Sequence, residues 1–307
     1  MSLVLLPTFY SHLMLLFLGL CFISPFAILR RGEFSISDPD SIITTYSHPV
    51  PSRVLPSFLF DKTGGYGSML YQGTRFRETK GFIINTFAEL ESPMQLTVIN
   101  FEVERHPNSE NIIKWLDDQP SSSALFLCFG SMGGFEHPQI AEMAAALERS
   151  GYRFLWLHGR QHQRNSVQSE SVFGANKEKG IFCVIAQEAV GGLVSHCGWN
   201  SILESLWNGV PIATWPVYAE QQSNAFQLVK DLELAMQLTL DYRFKNPHKL
   251  VPFNEIEKAI RCLMDDENPV RRRVKEIGKK AIEALMDGGS SFISLRRFIE
   301  DPLVAQK

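Results

Sequence analysis

The sequence lacks the cysteine pattern of a disulfide scaffold or a metal site. Its five cysteines form no C-x-x-C pair, and an odd number argues against complete disulfide pairing. A strong charge excess is also absent, since 30 Lys and Arg residues face 33 Asp and Glu residues and leave a net charge of −3. We therefore expect neither nucleic acid nor an anionic membrane as a partner, and the cysteines are most compatible with a reducing cytoplasm.

Long hydrophobic runs are missing as well. Residues 13–23 (LMLLFLGLCFI) are apolar and are followed by Arg30 and Arg31, but this run is too short to span a bilayer. No Lys or Arg precedes it, unlike the start of a signal peptide. We therefore expect a buried helix at this position, with a signal or anchor segment as the alternative.

What the sequence does contain is an alternation of apolar segments with helical patterns. Its 307 residues, 45% hydrophobic and 21% charged, suffice for two compact domains. This alternation predicts an α/β fold, with strands at 124–129, 153–157, 181–185, 192–195, 210–215 and 235–239 and helices at 112–118, 138–150, 219–230, 254–264, 269–286 and 291–300.

Residues 189–222 are the most informative stretch. A short apolar strand runs into His196-Cys197-Gly198-Trp199-Asn200-Ser201, and a helical pattern follows. Gly198 allows the backbone to pass closely, and the N–H groups at the start of the helix suit a phosphate. The side chains of His196, Asn200 and Ser201 add hydrogen-bond donors at the same turn.

A second pair of polar residues follows the next predicted strand. Glu220 and Gln221 stand where the helix after residues 210–215 begins. In a doubly wound sheet such helix starts lie at the carboxyl ends of the strands, where ligands bind. The two polar clusters are therefore expected to face one crevice.

Residues 189–222 resemble the latter part of the plant secondary product glycosyltransferase box, the signature of plant UDP-dependent glycosyltransferases. Similarity to that family, particularly to members that glycosylate flavonoids and other phenolics, extends to FLCFGSM at 126–132, RETKGFIINTFAELE at 77–91, WLDDQP at 115–120 and MDGGSS at 286–291. The resemblance implies a GT-B fold of two Rossmann-like domains, the N-terminal one incomplete. It also implies transfer of a hexose, glucose by preference, from a UDP-sugar to an aromatic or terpenoid hydroxyl, with inversion and without metal, cofactor or protein partner.

The resemblance assigns the donor contacts by position. The turn after residue 195 would contact the diphosphate, Glu204 the ribose hydroxyls, and Glu220 with Gln221 the sugar hydroxyls. Ser131 would lie near the diphosphate and Gln187 near the uracil edge. The complete expected set is Ser131, Gln187, His196, Gly198, Trp199, Asn200, Ser201, Glu204, Glu220 and Gln221.

Structural alternatives remain open for several of these residues. His196 is also compatible with a satisfied core histidine, and Asn200 with a helix N-cap. Ser201 and Glu204 form the S-x-x-E pattern of a capping box, which would simply close the helix start. Glu220 and Gln221 are equally compatible with polar first-turn residues that the helix dipole favours.

The sequence departs from the family pattern before the box. Complete members carry Trp-x-Pro-Gln there, and the Trp stacks on uracil, whereas this chain has Val184-Ile185-Ala186-Gln187. Losing such a stacking platform costs about 1–3 kcal/mol of base affinity. We expect weakened selectivity for uridine.

The catalytic general base is not found. The family uses a His beside the first strand of the N-terminal domain, and neither His12 nor His48 has that context. We expect residues 1–110 to be a remnant of the acceptor domain with its linker, 111–290 the nucleotide-sugar domain, and 291–307 a helix that returns to the first domain. Two functions stay open: an active UDP-glycosyltransferase, or an inactive fragment that at most binds UDP-sugar.

Overall fold

The computed structural model describes residues 4–5, 34–43, 45–61, 63–68, 71, 82–83, 85–90, 110–130, 134–157, 181–243 and 250–300. The chain divides into two compact units, one of Met1–Phe101 with Ile277–Lys307 and the other of Glu102–Glu276. The predicted helix at 13–23 and the site candidate Ser131 lie outside the described residues.

Strands and helices alternate along the central part of the chain. The strands are β1 Val4–Leu5, β2 Phe82–Ile83, β3 Ala124–Cys128, β4 Arg153–Leu157, β5 Val190–Ser195, β6 Ile212–Thr214 and β7 Ala235–Gln237. The helices are α1 Glu110–Asp117, α2 His137–Ser150, α3 Ile181–Ile185, α4 Trp199–Trp207, α5 Gln221–Phe226, α6 Phe253–Met264, α7 Pro269–Leu285 and α8 Ser290–Glu300. A π-helical turn, Gln227–Asp231, continues α5 directly.

The second unit contains a five-stranded parallel sheet in the order β4-β3-β5-β6-β7. Every residue of β3 and β5 is buried, as expected for a parallel sheet that is covered on both faces. The chain moves from β3 outward to β4, returns past β3 to β5, and then continues in the other direction. Right-handed crossovers therefore place α2 and α4 on opposite faces, and the carboxyl ends of β3 and β5 form the switch point of the sheet.

The main hydrophobic core covers one face of this sheet. It joins apolar residues of β3 to Met143 and Leu147 of α2 and to Ile260 and Leu263 of α6. The fully buried Trp215, which directly follows β6, lies at the centre of a group of edge-to-face aromatic rings that includes Phe129, Phe135 and Tyr242. This packing fixes the loops at the carboxyl ends of β3 and β6.

In the first unit, β1 and β2 form a two-stranded parallel sheet, with Val4 opposite Phe82. Two 3₁₀ turns, Ser52–Val54 and Ser57–Phe60, bury Val54 and Leu59. The Ser290 hydroxyl at the start of α8 donates a hydrogen bond to a Glu89 carboxylate oxygen at 2.9 Å, so that α8 is tied to the segment after β2.

The α/β prediction is confirmed, and in the second unit the strands at 124–129, 153–157, 192–195, 210–215 and 235–239 lie within three residues of their predicted limits. The strand predicted at 181–185 is wrong, because these residues form helix α3. Five apolar residues carry no periodicity that separates a buried strand from a helical turn. The Gln187 side chain closes α3 by donating to the Cys183 carbonyl at 2.9 Å.

Among the residues that the structure describes, none of the helices has both the length and the apolar character needed to cross a membrane.

Candidate functional site

His196 lies at the switch point of the sheet, immediately after β5. Its backbone N–H donates to the carbonyl oxygen of Cys128 at the end of β3, and its ring Nδ1 is 3.2 Å from the same oxygen. A carbonyl oxygen only accepts, so Nδ1 carries the proton and the neutral ring leaves Nε2 without one. Burial lowers the pKa of His196 to about 4, because desolvation disfavours the charged ring.

Two glycines enclose the imidazole. A Cβ atom at Gly130 would lie 2.8 Å from the His196 Nε2, and one at Gly198 would lie 2.4 Å from it. Gly130 also has a φ of +70°, which L side chains rarely adopt. The loop after β3 and the turn after β5 therefore approach Nε2 so closely that only glycine fits at both positions.

Cys197 shapes the turn between His196 and α4. Its φ of +62° is in the left-handed region, which is unfavourable for a residue other than glycine. The Cys197 N–H donates to the Ser195 hydroxyl at 3.0 Å, and this bond supports the conformation. Burial raises the pKa of the Cys197 thiol, so the sulfur is a packing group rather than a nucleophile.

Helix α4 begins directly after this turn. Gly198 is its N-cap residue, and Ile202 is the first residue whose N–H bonds back along the helix, to the Gly198 carbonyl. The earlier N–H groups have no acceptor within the helix, and they give its start a partial positive charge. Asn200 is exposed at this end, while Trp199 and Ser201 are buried.

The capping-box alternative is excluded. Ser201 is the third residue of α4 and not its N-cap, so Ser201 and Glu204 do not close the helix start. Asn200 is likewise not the N-cap. Residues three and four positions apart share a helix face, so Glu204 lies on the same side of α4 as Asn200 and Ser201.

Glu204 carries a partly buried carboxylate. Burial raises its pKa to about 7, since the surroundings disfavour its charge. Within the described part of the chain, its carboxylate has no hydrogen-bond or ion-pair partner. The side chain is only partly buried, so this carboxylate is available to accept hydrogen bonds from ligand hydroxyl groups.

The second candidate loop precedes α5. Glu220 is the N-cap residue of α5, Gln221 is its first residue, and Ala219 before them has a φ of +56°. The Gln221 Oε1 accepts the backbone N–H groups of Val217 and Tyr218 at 2.9 and 3.0 Å. The Gln221 side chain therefore stabilises the loop that precedes α5, whether or not it also contacts a ligand.

The remaining predicted residues are less well placed. Gln187 uses its amide nitrogen to cap α3, and this contact occupies one of its two N–H bonds. His48 is exposed in the first unit, while His12 and Ser131 lie outside the described residues.

Sequence reasoning missed two residues that shape the site. Gly130 was not singled out, although a glycine directly after a predicted strand signals a close backbone approach. Asn224, which is fully buried in α5, donates to the Cys197 carbonyl at 2.9 Å. A long-range contact of this kind has no sequence signal.

Taken together, these groups favour an anionic, hydroxylated ligand. The start of α4 suits a phosphate, and an unpartnered carboxylate one turn further along suits a diol. Their position at a topological switch point is where doubly wound sheets bind nucleotides.

Comparisons with known proteins identify the family. The family model described as UDP-glucoronosyl and UDP-glucosyl transferase matches residues 82–241. UDP-glycosyltransferase 71K1 of Malus domestica is 44% identical over 86% of this chain and 63% of its own length. Anthocyanidin 3-O-glucosyltransferase 2 of Manihot esculenta is 42% identical over 88% of this chain and 86% of its own length. The chain thus spans less than two thirds of the apple relative.

Solved structures agree. The crystal structure of Medicago truncatula UGT71G1 complexed with UDP-glucose has a TM-score of 0.82 and 38% identity, over 94% of this chain and 68% of that chain. A transferase from Siraitia grosvenorii in complex with UDP has a TM-score of 0.81 and 34% identity, over 94% of this chain and 74% of that chain. The fold is accordingly of the GT-B type. The chain belongs to the family of UDP-glucoronosyl and UDP-glucosyl transferases.

Proposed function

We propose that the second unit binds the UDP part of a UDP-sugar at the carboxyl edge of its parallel sheet. The observation that carries this proposal is the enclosure of His196 between Gly130 and Gly198 at the start of α4. A diphosphate placed there would accept hydrogen bonds from the helix N–H groups, and from the ring once its Nε2 takes up a proton. The complex of UGT71G1 with UDP-glucose supports the choice of ligand.

The other polar residues would contact the remaining parts of the UDP-sugar. Glu204 would accept hydrogen bonds from the two ribose hydroxyls, because it is an unpartnered carboxylate on the same face of α4. Glu220 and Gln221 at the start of α5 would contact the sugar hydroxyls. Asn200, Trp199 and Ser201 would contribute backbone and side-chain groups to the diphosphate.

The reaction proposed for the site is transfer of a hexose, glucose by preference, to a hydroxyl of a plant secondary metabolite, with inversion and without a metal. In such a transfer the acceptor oxygen bonds to the anomeric carbon as the bond from that carbon to UDP breaks, and the hydroxyl proton passes to a general base that is not assigned to any residue here. Negative charge develops on the departing diphosphate. The fixed dipoles at the start of α4 would stabilise that charge without reorganisation. The relatives named for anthocyanidin and flavonoid glucosylation support a phenolic acceptor, and terpenoids are a further acceptor class.

We assign no residue to binding of the acceptor substrate. We propose that residues 1–110 supply part of an acceptor domain, that 111–290 bind the donor, and that 291–307 return to the first domain. We propose a cytoplasmic location, which the free thiols of Cys128, Cys183, Cys197 and Cys262 support. The resemblance implies no protein partner.

A second candidate function is UDP-sugar binding without turnover. Two observations favour it: the described residues offer no His with the context of the family's general base, since His48 is exposed in the first unit, and Val184 stands where complete members carry the uracil-stacking Trp. This function keeps the diphosphate and ribose contacts. It differs from the first only in the chemical step.

Incubation of the purified chain with UDP-glucose and a panel of flavonoid, simple phenolic and terpenoid acceptors separates the two functions. Mass spectrometry would detect a glycoside, and His196→Ala serves as the control. Product above the control level establishes the transferase. Saturable UDP binding without product selects the binding function, and the absence of both rejects the proposal.

A further inference from the structure

The buried amide of Asn224 links the two loops of the candidate site. Asn224 is fully buried in the first turn of α5, and its backbone N–H donates to the Glu220 carbonyl at 3.1 Å. Its side-chain Nδ2 donates to the Cys197 carbonyl at 2.9 Å. One residue thus connects the start of α5 to the turn that precedes α4.

The turn that Asn224 contacts is strained and is held from several sides. Cys197 has a φ of +62°, although it carries a side chain. Its N–H bonds to the Ser195 hydroxyl, its thiol lies 3.5 Å from the Ser195 carbonyl, and its own carbonyl is held by Asn224. The contact from Asn224 comes from another element of the fold, α5, and the Trp215 backbone after β6 adds a hydrogen bond to the thiol.

The contact between Asn224 and Cys197 matters because of where Cys197 lies in the chain. Cys197 stands between His196 and Gly198, so its peptide orientation sets the direction of both the imidazole and the start of α4. A peptide that relaxes out of the left-handed region would rotate the neighbouring groups. The Gly198 backbone, which approaches the His196 Nε2 closely, would move with it.

Asn224 is costly as a packing residue. Its Oδ1 is buried and has no hydrogen-bond donor among the described residues. An apolar side chain of similar shape would avoid that penalty. The contribution that an apolar side chain cannot reproduce is the hydrogen bond from Nδ2 to Cys197.

We propose that Asn224 is a positioning residue for the diphosphate subsite. It holds the Cys197 peptide in the left-handed conformation, and through it orients His196 and the N–H groups at the start of α4. Asn224 does not itself touch the ligand. The diphosphate part of this inference rests on the proposed function, whereas the structural part concerns the free protein.

The chain offers a matched control two residues earlier. Gln222 is also fully buried in α5, its Nε2 donates to a backbone carbonyl at 2.7 Å, and its Oε1 has no donor in the described part of the chain. The carbonyl that it holds belongs to Tyr242, which is not part of the turn. Gln222→Ala therefore removes a similar buried amide while leaving the Cys197 contact intact.

The test compares Asn224→Ala with Gln222→Ala in three measurements: thermal midpoint, amide hydrogen exchange of peptides covering residues 195–201, and calorimetric affinity for UDP. We expect both variants to lose thermal stability. Only Asn224→Ala should show faster exchange at 195–201 and UDP affinity weakened by about tenfold or more. The Gln222→Ala affinity should stay within about twofold of the wild type.

Unchanged exchange at 195–201 in Asn224→Ala, or an equal increase in Gln222→Ala, would overturn the proposal. Asn224→Asp keeps the shape of the side chain but replaces the donor, so it should reproduce the exchange increase, and wild-type exchange in this variant would show that a cavity caused the effect. If Asn224→Ala does not fold, the hydrogen exchange of Asn224→Asp tests the proposal in its place. Should the wild-type chain fail to bind UDP, the proposed function falls, and hydrogen exchange still tests the positioning role.

Discussion

The ring nitrogen Nδ1 of His196 and the carbonyl oxygen of Cys128 are 3.2 Å apart. This contact links the carboxyl ends of β3 and β5, the two strands between which the strand order reverses. It also fixes the tautomer, since the proton must lie on Nδ1. A phosphate oxygen at Nε2 would need a second proton on the ring, and the pKa of His196 in the free protein is about 4.

The first prediction follows from this tautomer. UDP binding at neutral pH should take up a proton, because a bound diphosphate favours the imidazolium form that burial disfavours in the free chain. Calorimetric titrations in buffers of different ionisation enthalpy would show a binding heat that depends on the buffer. His196→Gln offers a neutral N–H donor in a similar place, while any proton exchange at Glu204 is common to both chains, so the variant should take up fewer protons than the wild type. Equal proton uptake by the two chains would contradict the prediction.

The second prediction concerns the partly buried carboxylate of Glu204. Its pKa is raised from 4.5 to about 7, so its stabilising contribution is complete below pH 4.5 and is lost as pH rises through 7. The side chain of Glu204→Gln does not ionise, so the variant keeps this stability when the pH rises. The free energy of unfolding of the variant should exceed that of the wild type by about 2–3 kcal/mol above pH ~8 and should match it at low pH.

The same variant should bind UDP less tightly, by about tenfold, because the ribose hydroxyls lose a charged acceptor. Urea unfolding across the pH range and UDP titration measure the two effects. A Glu204→Gln chain that is less stable than the wild type at high pH would show that the carboxylate has a partner in the folded protein.

The third prediction compares two glycines with similar backbone angles. Gly130 has a φ of +70° and Gly209 a φ of +68°, so an alanine at either position should cost about 1 kcal/mol of backbone strain. A Cβ atom at Gly130 would meet the His196 Nε2 at 2.8 Å, whereas the nearest atom at Gly209 is Lys275 Cγ at 3.4 Å. Gly130→Ala should therefore weaken UDP binding by about tenfold or more, while Gly209→Ala should leave it unchanged.

Urea unfolding would confirm that both glycine variants are folded, and titration with UDP would compare their affinities. Equal affinities for UDP in the two variants would show that the space around the His196 ring does not matter for binding.

The sequence predicted the second unit well because its signals there are strong. Strand β4 was predicted with its observed bounds, and the helices at α2, α6, α7 and α8 within one residue at each end. Apolar runs with β-branched residues, Pro near helix starts and Gly after helix ends are local signals. The resemblance of residues 189–222 to a known box then placed the candidate ligand contacts on these elements.

The remaining features depend on contacts that a local pattern does not contain. The residues of α3 read as a strand because the run is apolar and short, and the helix is closed by a side chain outside the run, Gln187. The left-handed conformation of Cys197 depends in part on Asn224, which is 27 residues further along the chain. The capping-box alternative failed because the turn ends at Gly198, three residues before Ser201.

Titration of the purified chain with UDP decides whether the second unit holds a nucleotide site. We expect saturable binding of one UDP per chain, and we expect His196→Ala, with an unchanged circular dichroism spectrum, to lose about tenfold or more of the affinity. A wild-type chain that gives no saturable heat and no thermal shift with UDP would contradict the claim. Equal affinity in His196→Ala would show that UDP binds elsewhere than at the carboxyl ends of β3 and β5.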